Sequence, residues 1–231
     1  MQLKIQLLNL TDTYRHKGLR RRLLESLRGK GITNDRVLSA MDVIPRHFFL
    51  EKAFEEWAYQ DKAFPIGCEQ TISQPYTVAY QTELLNVQKK DKILEIGTGS
   101  GYQAAILACM GARVYSVERQ ETLYLAARKL LYELGLDKWI TLFYQDGHEG
   151  LPKDAPFDKI LVTAAATEIP EVLKNQLVIV GSMVIPVNNP LQPKSQKMVK
   201  VTRQSETAFS QMLFDDFRFV PFLKGIIKHR D

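Results

Sequence analysis

Only two cysteines, Cys68 and Cys109, occur in the sequence, far apart and without metal-ligand spacing. A disulfide-stapled mini-protein is therefore excluded, and a reducing cytoplasm is the expected compartment. Cys109 falls in an apolar helical stretch, where a buried thiol is the ordinary outcome. Long apolar runs are missing too. The most apolar stretch, Leu177 to Val187, is broken by Gly181, Ser182 and Pro186, well short of the ~20 residues a membrane helix needs. The opening Met1 to Leu10 interleaves polar with apolar residues and lacks the continuous core of a signal peptide. With no apolar run of membrane length, no membrane partner is expected; neither an internal repeat nor a low-complexity linker is present.

What remains is a chain of 231 residues, 45% hydrophobic and 25% charged, with 13 glycines and 10 prolines. That balance excludes a disordered tail and a collagen-like repeat, and the length suffices for a full core without metal or disulfide staples. The formal charge of +5 is unevenly placed: residues 1–30 carry eight basic residues against Asp12 and Glu25. A basic amphipathic helix around Leu19 to Leu27 is compatible with nucleic acid or anionic lipid, but a solvated charged face is the plainer reading. We expect no nucleic-acid partner and a monomer.

From Lys90 onward, short apolar runs alternate with helical patterns. Lys92 to Ile96 reads as a strand, and Tyr102 to Met110 as a helix stopped by Gly111. Arg113 to Glu118 is the next strand. Leu123, Ala126, Ala127, Leu130, Leu131 and Leu134 then fall on one helical face ending at Gly135. Further strands are expected at Ile140 to Tyr144, Lys159 to Thr163 and Leu177 to Val187, with a helix from about Pro170 between the last two. This order gives an α/β fold, a doubly wound, mostly parallel Rossmann-like sheet. Residues 18–60 read as helices broken at Pro45, and 62–77 as a structured loop. After Pro193, residues 198–203 and Ala208 to Phe214 read as an antiparallel hairpin. We expect one domain over 1–231: a helical cap and loop (1–77), a cofactor core (78–190) and C-terminal strands (191–231).

The strongest local signal is Leu94-Glu95-Ile96-Gly97-Thr98-Gly99-Ser100-Gly101-Tyr102, between the first strand and the first helix. Glycines there allow a positive-φ turn and close approach of a ligand. The third glycine comes one residue earlier than in the dinucleotide fingerprint, and Glu95 would oppose a diphosphate. A ligand carrying an amino group suits Glu95 better. The next strand ends at Glu118, 21 residues after Gly97, where a carboxylate can accept from both hydroxyls of a ribose. Asp146-Gly147 follows the third strand, placed for an adenine edge. Sugar, base and amino acid together describe S-adenosyl-L-methionine, with Gly97, Thr98, Gly99, Glu118, Asp146 and Gly147 as candidate contacts. Each also has a plain alternative as a turn or cap residue.

Ile44-Pro45-Arg46, Ala58-Tyr59-Gln60-Asp61, Pro65-Ile66-Gly67, Gln70-Thr71-Ile72-Ser73-Gln74-Pro75-Tyr76, Leu94 to Gln103, Pro156-Phe157-Asp158, Thr163-Ala164-Ala165-Ala166 and Arg218-Phe219-Val220-Pro221 span nearly the whole chain. In these blocks the sequence resembles the protein-L-isoaspartate O-methyltransferase family. The resemblance implies methyl transfer from S-adenosyl-L-methionine to the α-carboxylate of L-isoaspartyl residues in peptides and proteins. The ester then closes to a succinimide whose hydrolysis restores some aspartate. It implies Ser73 as the active-site hydroxyl, Thr71 and Ile72 against the cofactor, and Ile66, Tyr76 and Val220 beside the peptide. Glu69, where many relatives carry glycine, and Gln145, in place of the usual glycine before Asp146-Gly147, depart from the pattern.

The chemistry agrees. A carboxyl acceptor, with a pKa near 4, is ionised at neutral pH and needs no general base. His148 therefore reads as a surface-loop residue and His47 as a packing or capping one. Ser73 also has a structural reading, as the cap of a helix opened by Pro75. A methyltransferase acting on RNA or a small molecule would use the same cofactor half, but no Asn/Asp-Pro-Pro-aromatic signature or catalytic cysteine block is present.

Overall fold

A computed structural model describes residues 11–228; Met1 to Leu10, with the expectation that they lack a signal core, lie outside it. The chain begins with α1 (Tyr14–Gly29), whose N-cap Thr13 accepts from the His16 amide while the His16 ring accepts from the Thr13 amide. Its inner face is His16, Arg20, Leu23 and Leu27, a helical repeat of four, three and four residues. One member of the basic cluster is thus no solvated charge. Arg20 is buried, forks onto Asp12 at 2.9 and 3.1 Å, and reaches Asp42 and the Tyr59 hydroxyl. Helix α2 (Asp35–Val43) ends before Pro45. Beyond it the expected helices are 3₁₀ segments, Arg46–Phe49 and Lys52–Trp57.

The expected loop at 62–77 contains a small hairpin, β1 (Phe64–Pro65) and β2 (Thr71–Ile72), followed by α3 (Pro75–Leu85). Then β3 (Lys92–Ile96), α4 (Tyr102–Cys109), β4 (Arg113–Glu118), α5 (Glu121–Glu133), β5 (Ile140–Tyr144), β6 (Phe157–Val162), α6 (Glu171–Asn175) and β7 (Leu177–Asn188) alternate as the periodicity indicates. Strands β8 (Gln196–Arg203) and β9 (Phe209–Phe217) close the sheet.

The seven-stranded sheet has the order β5-β4-β3-β6-β7-β8-β9. Its first five strands are parallel, and β8 and β9 are added antiparallel. Alternation along the strands feeds two apolar layers. Ile93, Leu161, Val184 and Met198 pack with Ile106 and Leu107 of α4, whereas Leu94, Ile160, Met183 and Val199 pack on the other face with Leu173 of α6. Because α4 is covered on all sides, every residue from Tyr102 to Ala108 is buried. The strand order reverses between β3 and β6, and the carboxyl ends at such a reversal open a crevice for ligands. No helix of the described residues is long and apolar enough to cross a membrane.

Candidate active site

The glycine loop follows β3 at that crevice. Gly97, Gly99 and Gly101 take φ of +95°, +54° and +86°, values that glycine alone adopts freely. At Gly97 the missing Cβ makes room for protein: a Cβ would lie 2.4 Å from the Thr163 hydroxyl oxygen. That hydroxyl donates to the carbonyls of Ile96 and Gly97 at 2.9 and 2.8 Å, tying the end of β6 to the loop. Gly147 is constrained likewise, since a Cβ would stand 2.5 Å from Ile96 and 3.2 Å from Phe222.

Glu118 ends β4 beneath this loop. One carboxylate oxygen accepts from the Gly99 amide at 2.8 Å and the other from the Gln120 amide at 2.9 Å. Burial raises its pKa and these backbone donors pull it back. Each oxygen keeps accepting capacity beyond these bonds, the acceptor pair that the two hydroxyls of a ribose diol need.

Thr71, Ile72, Ser73, Gly97, Thr98, Gly99, Glu118, Gly147 and Val220 all line one cavity. Ile66 stands at its edge, its side chain 3.3 Å from where a Gly99 Cβ would be. Two residues assigned to the cofactor lie elsewhere. Glu95 is fully buried off the cavity wall, accepting from the Ser116 hydroxyl, which also bonds Thr98 at 2.6 Å. Its other oxygen has no partner, and burial pushes the carboxyl up to about 8. Asp146 lies outside the wall as well. It accepts from the His148 amide at 2.9 Å and the Gly225 amide at 2.6 Å, fastening the C-terminal segment.

That segment, of which the resemblance put Val220 beside the peptide, is also a wall of this cavity. Val220, Pro221, Phe222 and Leu223 line it. The Val220 carbonyl accepts from Ala165 and the Phe222 amide donates back to Ala165, both at 2.8 Å. No bond among the described residues uses the Val220 amide. His148, read as a surface residue, is half-buried and stacks on Phe222 with ring centres 3.9 Å apart. His47, read as a packing or capping residue, is buried and packs against His16 and Phe48.

A second groove, of about 680 Å³, adjoins the first. Ser73, Thr71, Thr163 and Val220 line both, while Tyr76, Asp215, Asp216, Phe217 and Arg218 line the groove alone. Ser73 does not cap α3: Gln74 occupies the cap position and Pro75 the first turn. Among the described residues the Ser73 hydroxyl has no hydrogen-bond partner. Its carbonyl is held at 2.8 Å by Arg46, a guanidinium with no exposed surface that also bonds the carbonyls of Ala58 and Lys62. Arg46 stood in a quoted motif, but only the fold shows what it touches.

The two departures separate physically. Glu69 has φ +56° and Cys68 has φ +51° at the tip of the β1–β2 hairpin, a left-handed turn that glycine would adopt without strain. Gln145 adopts no such conformation, and its side chain bonds the Gly150 carbonyl at 2.7 Å.

A family model described as protein-L-isoaspartate(D-aspartate) O-methyltransferase matches residues 18–226. The chain belongs to the protein-L-isoaspartate O-methyltransferase family. A relative of that name from Flavobacterium psychrophilum is 55% identical over 215 residues, covering 93% of this chain and 99% of its own. One from Parvibaculum lavamentivorans is 45% identical, covering 89% and 92%. A solved protein-L-isoaspartate O-methyltransferase superposes with a TM-score of 0.79 at 29% identity, over 87% of this chain and 65% of that one. A structure assigned to the same activity from Plasmodium falciparum, in complex with S-adenosyl-L-homocysteine, gives 0.77 at 25% identity, over 91% and 99%. This family member is an S-adenosyl-L-methionine-dependent methyltransferase, and the loop, Glu118 and the cavity suit that cofactor.

Proposed function

We propose that the protein methylates the α-carboxylate of L-isoaspartyl residues in damaged polypeptides, with Ser73 as the hydroxyl that positions the acceptor. The observation that carries this reading is the placement of Ser73 on the shared wall of the cofactor cavity and the acceptor groove. S-adenosyl-L-methionine, when bound, supplies a methyl group activated by a sulfonium. Glu118 would hold its ribose, with Gly97, Thr98, Gly99 and Gly147 around it and Thr71 and Ile72 against it, all on the wall of one cavity. Asp146 and Glu95 support the site from behind, through the C-terminal segment and the Thr98–Ser116 bonds.

The acceptor carboxylate arrives ionised at neutral pH, so the residues have only to orient it. Ser73 donates one neutral hydrogen bond and leaves the carboxylate nucleophilic, where an arginine fork would hold it more tightly. Arg46 fixes the Ser73 backbone from below. The Val220 amide offers a second donor at the groove, with Ile66 and Tyr76 flanking the peptide. Charge is lost as the methyl moves, so exclusion of water by Ile72, Val220 and Phe222 favours the step. Holding the partners in line is worth up to roughly 7–11 kcal/mol.

In this reading the described parts of segments 1–77 and 191–231 shape the acceptor side around the core at 78–190. In the same reading the protein acts as a cytoplasmic monomer on polypeptides, with neither nucleic acid nor membrane as partner; the two isolated thiols suit a reducing compartment. Methyl transfer to matched isoaspartyl and aspartyl peptides tests it. We expect labelling of the isoaspartyl peptide only, and loss of roughly 100-fold or more in kcat for Ser73→Ala with S-adenosyl-L-homocysteine affinity retained. Equal labelling of both peptides, or wild-type turnover by the variant, contradicts the assignment.

A further inference from the structure

Among the described residues three buried side-chain atoms have no hydrogen-bond partner: Arg46 Nη1, Glu95 Oε1 and Gln103 Oε1. A buried polar atom of this kind is costly to leave unpaired. Arg46 and Glu95 lie off the wall of the cofactor cavity. Gln103 is part of that wall, in the first turn of α4 straight after the glycine loop, and only 7% of its surface is exposed.

A neighbour on α3 fixes which end of the Gln103 amide is open. The Thr82 hydroxyl directs its one proton to the Val78 carbonyl at 2.7 Å, so toward Gln103 it can only accept. Gln103 Nε2 donates to it at 3.0 Å. The NH2 end is thereby held against Thr82, and the carbonyl oxygen is left as an acceptor with both lone pairs open.

Helix α3 also sets which end of the crevice this acceptor serves. Its Gln81 side chain donates to the carbonyl of Val162, the last residue of β6, at 3.0 Å. Ser73 stands two residues before Pro75, where α3 begins. Glu118 lies on the other side of β3, at the end of β4. A ribose on Glu118 and a methyl donor facing Ser73 put the amino-acid end of the cofactor on the β6 side, with Gln103. That end carries an ammonium, which can only donate, and a carboxylate, which can only accept. An open carbonyl oxygen selects the ammonium. Glu95, the acid expected to suit an amino group, is off the wall and leaves that role to another acceptor.

We propose that Gln103 receives the α-ammonium of S-adenosyl-L-methionine on its side-chain carbonyl, with Thr82 holding the amide in that orientation. The inference rests on the cofactor half of the proposed function, the ribose on Glu118 and the methyl group beside Ser73, and is independent of which carboxylate is methylated.

Calorimetric binding to the full chain tests it with two probes, S-adenosyl-L-homocysteine and its deaminated analogue, which keeps the adenosine, the thioether and the carboxylate. The wild type should bind S-adenosyl-L-homocysteine roughly tenfold or more tightly than the analogue, the scale of a hydrogen bond to a charged group. In Gln103→Met, which preserves the length of the side chain and removes both ends of the amide, that ratio should fall toward one. In Gln103→Glu, which keeps an acceptor in place, the ratio should equal or exceed the wild-type value. Ratios taken within each variant are independent of how much folded protein it yields, and a purely structural role for Gln103 would weaken both ligands alike. A wild-type ratio near one, an unchanged ratio in Gln103→Met, or a Gln103→Glu ratio as low as that of Gln103→Met overturns the contact while leaving the cofactor and the acceptor reading intact. Binding of neither probe by the wild type overturns the cofactor reading with it, whereas failure to methylate isoaspartyl peptides touches only the acceptor.

Discussion

Glu95 is a carboxylate taken out of water with one hydrogen bond where four would fit. The Ser116 hydroxyl serves one oxygen, the other is orphaned, and Glu118 adds like charge nearby. Desolvation therefore dominates and the proton is retained to about pH 8. The sign of the consequence follows from proton counts. Unfolded glutamate loses its proton near pH 4.3, so between there and about pH 8 the folded chain binds more protons than the unfolded one. This group's contribution to stability thus falls as pH rises through that window and levels off above it. Thermal melts of the free protein should show a negative slope of Tm against pH between about 5 and 8 that is shallower in Glu95→Gln. Parallel slopes in the two proteins would show that Glu95 ionises freely.

At the scale of one element, the β1–β2 hairpin shows how a local strain is borne for a contact. Gly67, Cys68, Glu69 and Gln70 form its tip, closed by the Gln70 amide on the Gly67 carbonyl at 2.8 Å. Both central residues take left-handed φ, +51° and +56°, the geometry of a type I′ turn. The turn aims the Cys68 carbonyl at Gln120, whose side chain donates at 3.1 Å across the cavity mouth. The Glu69 side chain is exposed and makes no hydrogen bond among the described residues. A non-glycine residue there costs about 1–2 kcal/mol, and glycine recovers that minus about 0.5–1 kcal/mol of extra unfolded-chain entropy. Glu69→Gly should therefore gain about 0.5–1 kcal/mol, seen as a rise in Tm of roughly 1–4 °C. A fall in Tm would mean that the Glu69 side chain stabilises the tip.

Across the whole molecule, the features visible in the sequence are those whose partners follow in chain order. The parallel core was legible because each strand is an apolar run closed by a helix, and Glu118 because the second strand must lie beside the first. Asp146 was legible as a position after a strand but not as a contact, since its partner Gly225 is 79 residues away. The same distance hid the cavity wall made by the C-terminal segment. Four groups anchor that segment to the ends of β4 and β5. Arg119 reaches the carbonyls of Lys224 and Gly225 at 3.1 and 2.8 Å. Ile227 donates to the Arg119 carbonyl at 2.8 Å and accepts from the Glu121 amide at 3.0 Å. Tyr144 donates to Ile227 at 3.0 Å, and Asp146 accepts from Gly225. These anchors press Phe222 against Gly147 and His148 at the cavity wall. A chain ended after Leu223 keeps every residue of the wall but loses all four anchors. Its affinity for S-adenosyl-L-homocysteine, measured by calorimetry, should drop by about tenfold, or about 1.4 kcal/mol. The loss should appear in Kd even at temperatures well below the variant's Tm, because the wall is loosened while the sheet stays folded. An unchanged Kd would show that Phe222 is held by the Ala165 bonds alone and that the strap beyond it has no part in cofactor binding.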